Sequence, residues 1–241
     1  MRRIRIRLAY DGGGFHGWQS QPNLPTIQGI LEEILSGMEG APVEVAGSGR
    51  TDAGVHALEQ VAAFSIGNPI PTPNLRRALN RLLPRAIRVL AAEEVPAGFH
   101  PRFDAKSKTY EYRIFREEVC SPFEWPYVHH FPYPLDQERM IRLARVFEGE
   151  HDFTAFAASD ESDAAGRSKV RRVYSSVLEP SPGRLVYRVQ GSGFLKHMVR
   201  NIVGTLIEAG KGNIADCDSL PGKCGPTAPA KGLFLVKVEY E

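Results

Sequence analysis

The chain has 241 residues, 42% of them hydrophobic and 24% charged, with a net charge of +2, which allows a full core in one large or two small domains and excludes a disordered chain. No uninterrupted apolar stretch could span a bilayer, and the basic N-terminus lacks an apolar signal-peptide core, so neither a membrane nor a secretory role is expected. The three cysteines, Cys120, Cys217 and Cys224, have no close pair at zinc-ligand spacing, which argues against a disulfide framework or a structural metal and fits a reducing cytoplasm.

Residues 2–10 place Ile4, Ile6, Leu8 and Tyr10 on one face and arginines on the other, the period of a strand with one face buried. Gly12 to Gly14 break it, and Phe15-His16-Gly17-Trp18-Gln19 follows as a loop with two large aromatics. Thr26 then caps a helix whose Ile27, Ile30, Leu31, Ile34 and Leu35 share one side. Strands are expected at 43–47 and 59–66, and the stretch between them is punctuated by Gly47, Gly49 and Gly54. Its glycines suggest a phosphate cradle, but no Lys-Ser/Thr pair or helix follows, so the P-loop and dinucleotide readings both fail. Locally, Asp52 reads as an ordinary turn aspartate or as a carboxylate displayed where the backbone enters a sheet.

Thr72 with Pro73 opens a second helix, with Leu75, Ala78, Leu79, Leu82 and Leu83 inside and Arg76, Arg77, Asn80 and Arg81 outside. Residues 87–95 read as a strand and 96–107 as a junction. Beyond it, Tyr110, Tyr112 and Ile114 alternate along a strand at 108–115, and 121–134 is irregular with four prolines. A helix capped by Asp136 buries Met140, Leu143, Ala144 and Phe147, while 151–166 is read as loop. Residues 169–179 and 184–192 form a hairpin about Pro182-Gly183. The most regular helical stripe is Leu195, Met198, Val199, Ile202, Val203, Leu206 and Ile207, with Lys196, His197, Arg200 and Asn201 off it; a final strand spans 232–240.

Both halves read strand, helix, strand, strand, helix, strand. The expected fold is α+β: two tandem ferredoxin-like units, 1–104 and 105–241, with antiparallel sheets, helices on one side and a groove between halves. Arginine clusters at Arg2, Arg3, Arg5 and Arg7, at Arg76, Arg77, Arg81, Arg85 and Arg88, and at Arg167, Lys169, Arg171 and Arg172 suit a polyanionic partner, although a solvated basic face is the commoner meaning of any one cluster.

With these residues in view the chain resembles the bacterial-type tRNA pseudouridine synthase A family nearly end to end. The matches are Tyr10-Asp11-Gly12 with Phe15-His16-Gly17-Trp18-Gln19; Gly49-Arg50-Thr51-Asp52-Ala53-Gly54-Val55-His56; Phe99-His100-Pro101-Arg102-Phe103; Lys108-Thr109-Tyr110-Glu111-Tyr112; His151-Asp152-Phe153; residues 194–204 around Met198-Val199-Arg200-Asn201; and Ala228-Pro229-Ala230-Lys231-Gly232-Leu233. Their number and order move Asp52 from turn residue to catalyst.

The resemblance implies isomerisation of a uridine in the tRNA anticodon arm, with no cofactor and no metal. It implies Asp52 as nucleophile or base, Arg200 as its basic partner, Tyr110 as the aromatic on which the flipped base stacks, Leu233 as an apolar pocket wall, and Arg50 gripping the extruded nucleotide or its phosphate. The family is usually homodimeric, one tRNA contacting both subunits. The chain departs from it at Leu220-Pro221-Gly222-Lys223-Cys224-Gly225, where most relatives carry an Asp-Arg pair, so a binding role for that segment is not carried over. A non-catalytic RNA-binding module of the same fold is the competing reading; Asp52, Tyr110 and Arg200 separate the two.

Overall fold

The computed structural model describes residues 1–159, 166, 168–214, 222 and 225–241, so Arg167, Cys217, Cys224 and most of the departing segment lie outside the described residues. Among these, the chain is α+β, with ten strands and four α-helices. It divides into two compact units, Met1–Lys106 with Leu235–Glu241, and Ser107–Phe234.

The first unit is built on β1 (Arg2–Tyr10), flanked by the antiparallel β3 (His56–Ile66) and β4 (Ile87–Val95). Ile4, Ile6 and Leu8 are wholly buried on one face. On the other, Arg5 pairs with Glu93 at 3.0 Å and Arg7 with Glu59 at 3.1 Å, while Arg2, at the start of the strand on the Ile4 side, pairs with Glu94, so much of this cluster's charge is matched within the protein. The strand expected at 43–47 contracts to β2 (Ala46–Gly47), paired to Ala62 and Ala63 of β3. Between β1 and β2 runs α1 (Ile27–Glu39), capped by the Thr26 hydroxyl, which accepts from Gly29 N–H, and stopped by Gly40 at φ 74°.

The second helix, α2 (Thr72–Leu82), buries Leu75 and Leu79. Leu82, expected inside, is 55% exposed: the helix ends there, and the extended backbone of Leu83 turns that side chain into the core instead. The last strand, β10 (Leu233–Glu239), runs beside β3, and its residues from Leu235 onward belong to this first unit.

In the second unit β5 (Ser107–Phe115) pairs antiparallel with β9 (Arg184–Gly191) and parallel with the two-residue β6 (His129–His130). The hairpin of β8 (Val170–Ser181) and β9 turns at Gly183, φ 67°. Outside it lies β7 (Gly149–Asp152), whose last two residues fall in the stretch 151–166 read as loop; nothing in Gly-Glu-His-Asp alternates, and the strand exists because its backbone pairs with β8, His151 opposite Arg171. A short turn of helix follows, with Phe153 and Phe156 fully buried.

Asp136 caps α3 (Gln137–Val146) as expected, accepting from Arg139 N–H at 2.9 Å. In α4 (Met198–Gly210) every residue but Arg200 and Glu208 is buried. Asn201 is therefore not on an exposed side but 3% exposed, its amide donating to Phe156 O at 2.6 Å and accepting from the Thr227 hydroxyl at 2.6 Å. Packing on two sides removes the polar face that an amphipathic stripe implies.

Candidate active site

The bend carrying Asp52 is made by close approaches that only glycine permits. Gly17 sits at φ 88° with its missing side-chain position 2.5 Å from Thr51 O, and that of Gly47 lies 2.5 Å from the Trp18 indole. Trp18 N–H donates to Thr51 O at 3.0 Å, Gly54 N–H to Phe15 O at 3.3 Å and Val55 N–H to Asp52 O at 3.1 Å. The aromatic loop after β1 thus packs beneath the bend: Trp18 is buried while His16 is exposed. Arg50 and Asp52 share the bend, Arg50 exposed and Asp52 half-buried.

Below them lies a cluster the sequence did not single out. Tyr10 Oη and Thr51 Oγ1 are 2.8 Å apart, and the fully buried Gln60 bonds to Ser48, Gly49 and Tyr10. The one signal for it was Gln60 itself, a polar residue directly before the apolar run Val61 to Phe64. Gly12 N–H donates to Nδ1 of the buried His56 at 3.0 Å, tying the loop to the start of β3.

In the second unit Tyr110 is a buried residue of β5, opposite Val189, with Phe194 edge-on at 5.1 Å between ring centroids. Arg200, in the first turn of α4, is half-buried; its Nε donates to Ala228 O at 2.8 Å, and Ala228 N–H returns a bond to Arg200 O at 3.1 Å. The segment from Pro226 to Gly232 is held on both sides. The missing side-chain position of Gly204 is 2.1 Å from Pro226 O, that of Gly232 is 2.7 Å from the Tyr112 ring, and Tyr112 Oη donates to Pro229 O at 2.8 Å. Burial pushes the Tyr112 phenol far above its ordinary value, the nearby Arg200 charge opposing it. Leu233 opens β10 directly after this segment and is buried.

His129 is pushed down to about 4, by burial first and then by the Lys231 charge, so it stays neutral. Among the described residues no three His, Cys, Asp or Glu side chains gather as a metal site would require, and no helix is long and apolar enough to cross a membrane.

Residues 8–104 and 143–241 match a family model described as tRNA pseudouridine synthase. Proteins named tRNA pseudouridine synthase A are similar over the whole of both chains: that of Solibacter usitatus strain Ellin6076 at 78% identity, that of Geotalea uraniireducens strain Rf4 at 45%, and that of Brevibacillus brevis at 43%. A family model spanning most of the sequence, and relatives matched from end to end, leave one assignment: the chain belongs to the tRNA pseudouridine synthase family.

Proposed function

We propose that this protein isomerises uridine to pseudouridine in the anticodon arm of tRNA, with Asp52 as the essential carboxylate. The observation carrying the activity is end-to-end identity of 78% to a tRNA pseudouridine synthase A. The reaction breaks the bond from C1′ to N1 of uracil, turns the base and joins C1′ to C5; the proton leaving C5 is balanced by one gained at N1. Atoms are conserved and nothing is oxidised, so the chemistry calls for a carboxylate at the sugar and a pocket that retains the free base.

Asp52 supplies that carboxylate, bonding the sugar, adding to the base or taking a ribose proton; its rigid bend supports the assignment, because a short side chain reaches only where its backbone points. Arg200 is the basic residue that favours the ionised form, Tyr110 the surface for the extruded base, Leu233 an apolar wall and Arg50 a contact to the nucleotide or its phosphate. The strand order β4-β1-β3-β2 supports the ferredoxin-like reading of the first half, with the boundary near residues 104–107. We expect a cytoplasmic homodimer, which light scattering tests. For the activity, purified protein is incubated with unmodified tRNA and no cofactor, and pseudouridine is mapped by position. Modification confined to the anticodon arm is the expected result; binding without modification would favour the RNA-binding module instead.

A further inference from the structure

Gln60 lies in the middle of β3, directly before the buried apolar run Val61 to Phe64, and is itself fully buried. An amide in such a place is tolerated only when its donors and acceptors are used, and here all are. Oε1 accepts from the Ser48 hydroxyl at 2.6 Å and from Val61 N–H at 3.2 Å; Nε2 donates to Gly49 O at 3.0 Å and to Tyr10 Oη at 3.4 Å. The Val61 N–H and the Gly49 carbonyl fix which end of the amide is oxygen.

Tyr10 Oη accepts from Gln60 Nε2 and in turn shares a hydrogen bond with Thr51 Oγ1 at 2.8 Å. Burial pushes the Tyr10 phenol up to about 12, against the bonds from Thr51 and Gln60, so it stays neutral across the working range. Counted along the chain, Gln60 reaches Ser48, Gly49 and, through Tyr10, Thr51: three of the four residues immediately before Asp52. Packing alone would have been served by an apolar side chain.

We infer that Gln60 is a positioning residue for the isomerisation, its amide acting with Tyr10 to hold the 48–51 backbone so that Asp52 meets the substrate sugar. This rests on Asp52 as the essential carboxylate. Tyr10 relays the constraint to Thr51, and neither side chain needs to touch RNA.

The test is steady-state pseudouridine formation on unmodified tRNA by Gln60→Leu, Gln60→Glu and Tyr10→Phe, with Asp52→Asn in parallel and folding of each checked by circular dichroism. Misplacement of a reacting group by about 1 Å costs on the order of 100-fold, so Gln60→Leu is expected to lose about that much kcat with KM for tRNA held within about twofold. Tyr10→Phe removes one oxygen and keeps the ring, and about a 10-fold loss of kcat is expected.

Gln60→Glu adds a signature that a merely structural role would not give. The neutral acid can still donate to Gly49 O, whereas the carboxylate repels it, and burial raises the pKa at which one becomes the other. The ratio of variant to wild-type kcat is therefore expected to be highest at low pH and to fall as pH rises. Folded variants with wild-type kcat, or a raised KM alone, would overturn the inference. Should Gln60→Leu fail to fold, Tyr10→Phe and Gln60→Glu decide on the same criteria. An active Asp52→Asn protein would instead overturn the Asp52 assignment, whereas a dead Asp52→Asn beside fully active Gln60 and Tyr10 variants would remove only the positioning role.

Discussion

In the bend that carries Asp52, glycines and buried polar side chains pin the backbone, whereas at the start of α4 the Arg200 side chain is itself pinned, its Nε donating to Ala228 O at 2.8 Å. The contrast follows from side-chain length. Aspartate has two side-chain torsions and little reach, so its carboxylate is placed only by fixing the main chain. Arginine has a long stem with many rotamers, and holding its backbone would leave the guanidinium free to wander, so one of its own donors is anchored and the others can point elsewhere. The first unit has thus invested in a stiff loop and the second in a captured head group.

The largest effect expected is at the short residue. Asp52→Asn keeps shape and removes charge, and pseudouridine formation on tRNA should fall by about 1,000-fold or more while tRNA binding, read by filter retention, changes little. A near-normal rate would remove the carboxylate from the chemistry.

A matched glycine pair tests the comparison more sharply. Gly17→Ala places a methyl 2.5 Å from Thr51 O at a residue with φ 88°, and Gly204→Ala places one 2.1 Å from Pro226 O. Both should destabilise, by about 2–3 kcal/mol in urea melts. Under conditions where both are folded, Gly17→Ala should lose about 100-fold in kcat and Gly204→Ala about 10-fold or less, because a long side chain can re-aim after its backbone shifts and a short one cannot. Equal losses would dissolve the distinction. Arg200→Lys retains the charge but has no Nε to give Ala228 O, and a roughly 10-fold fall in kcat with little loss of stability is expected.

The smallest effect lies outside both regions. Arg77 is exposed on α2, as is Arg76, which donates to Leu90 O at 3.2 Å. Replacing both by Ala should lower the slope of log binding constant against log salt by about 2 if each meets a phosphate, leaving kcat on saturating tRNA unchanged. An unchanged slope would mean that this stripe faces solvent.

Much of this was legible in the sequence wherever a local rule decides the outcome. Thr26 and Asp136 cap their helices because a hydroxyl or carboxylate before an apolar stripe has free amides to accept from, and Gly183 turns its hairpin because the backbone there needs a positive φ. What stayed hidden depends on residues far apart in the chain. Gly-Glu-His-Asp becomes β7 only because β8 offers it a partner, and Asn201 is buried because Phe156 and Thr227 converge on its amide. Leu82 and Leu83 could not be ranked without knowing where α2 stops. The proposed role of Asp52 rests on the pattern of residues about it, whereas the bonds from the Gln60 amide to Ser48 and Gly49 join residues of two separate stretches and leave no local pattern to read.

The membership of the final strand bears on how the molecule comes off the ribosome. Residues from Leu235 onward group with the first unit, where Glu239 O accepts from Lys106 N–H at 2.7 Å and Tyr240 Oη donates to Pro101 O at 2.7 Å. They are synthesised after the whole of Ser107–Phe234. The part made first is therefore completed last: a nascent chain stopped short of Leu235 carries β3 without its β10 neighbour, a strand edge covered only in part by β2 that waits while the intervening unit emerges and folds.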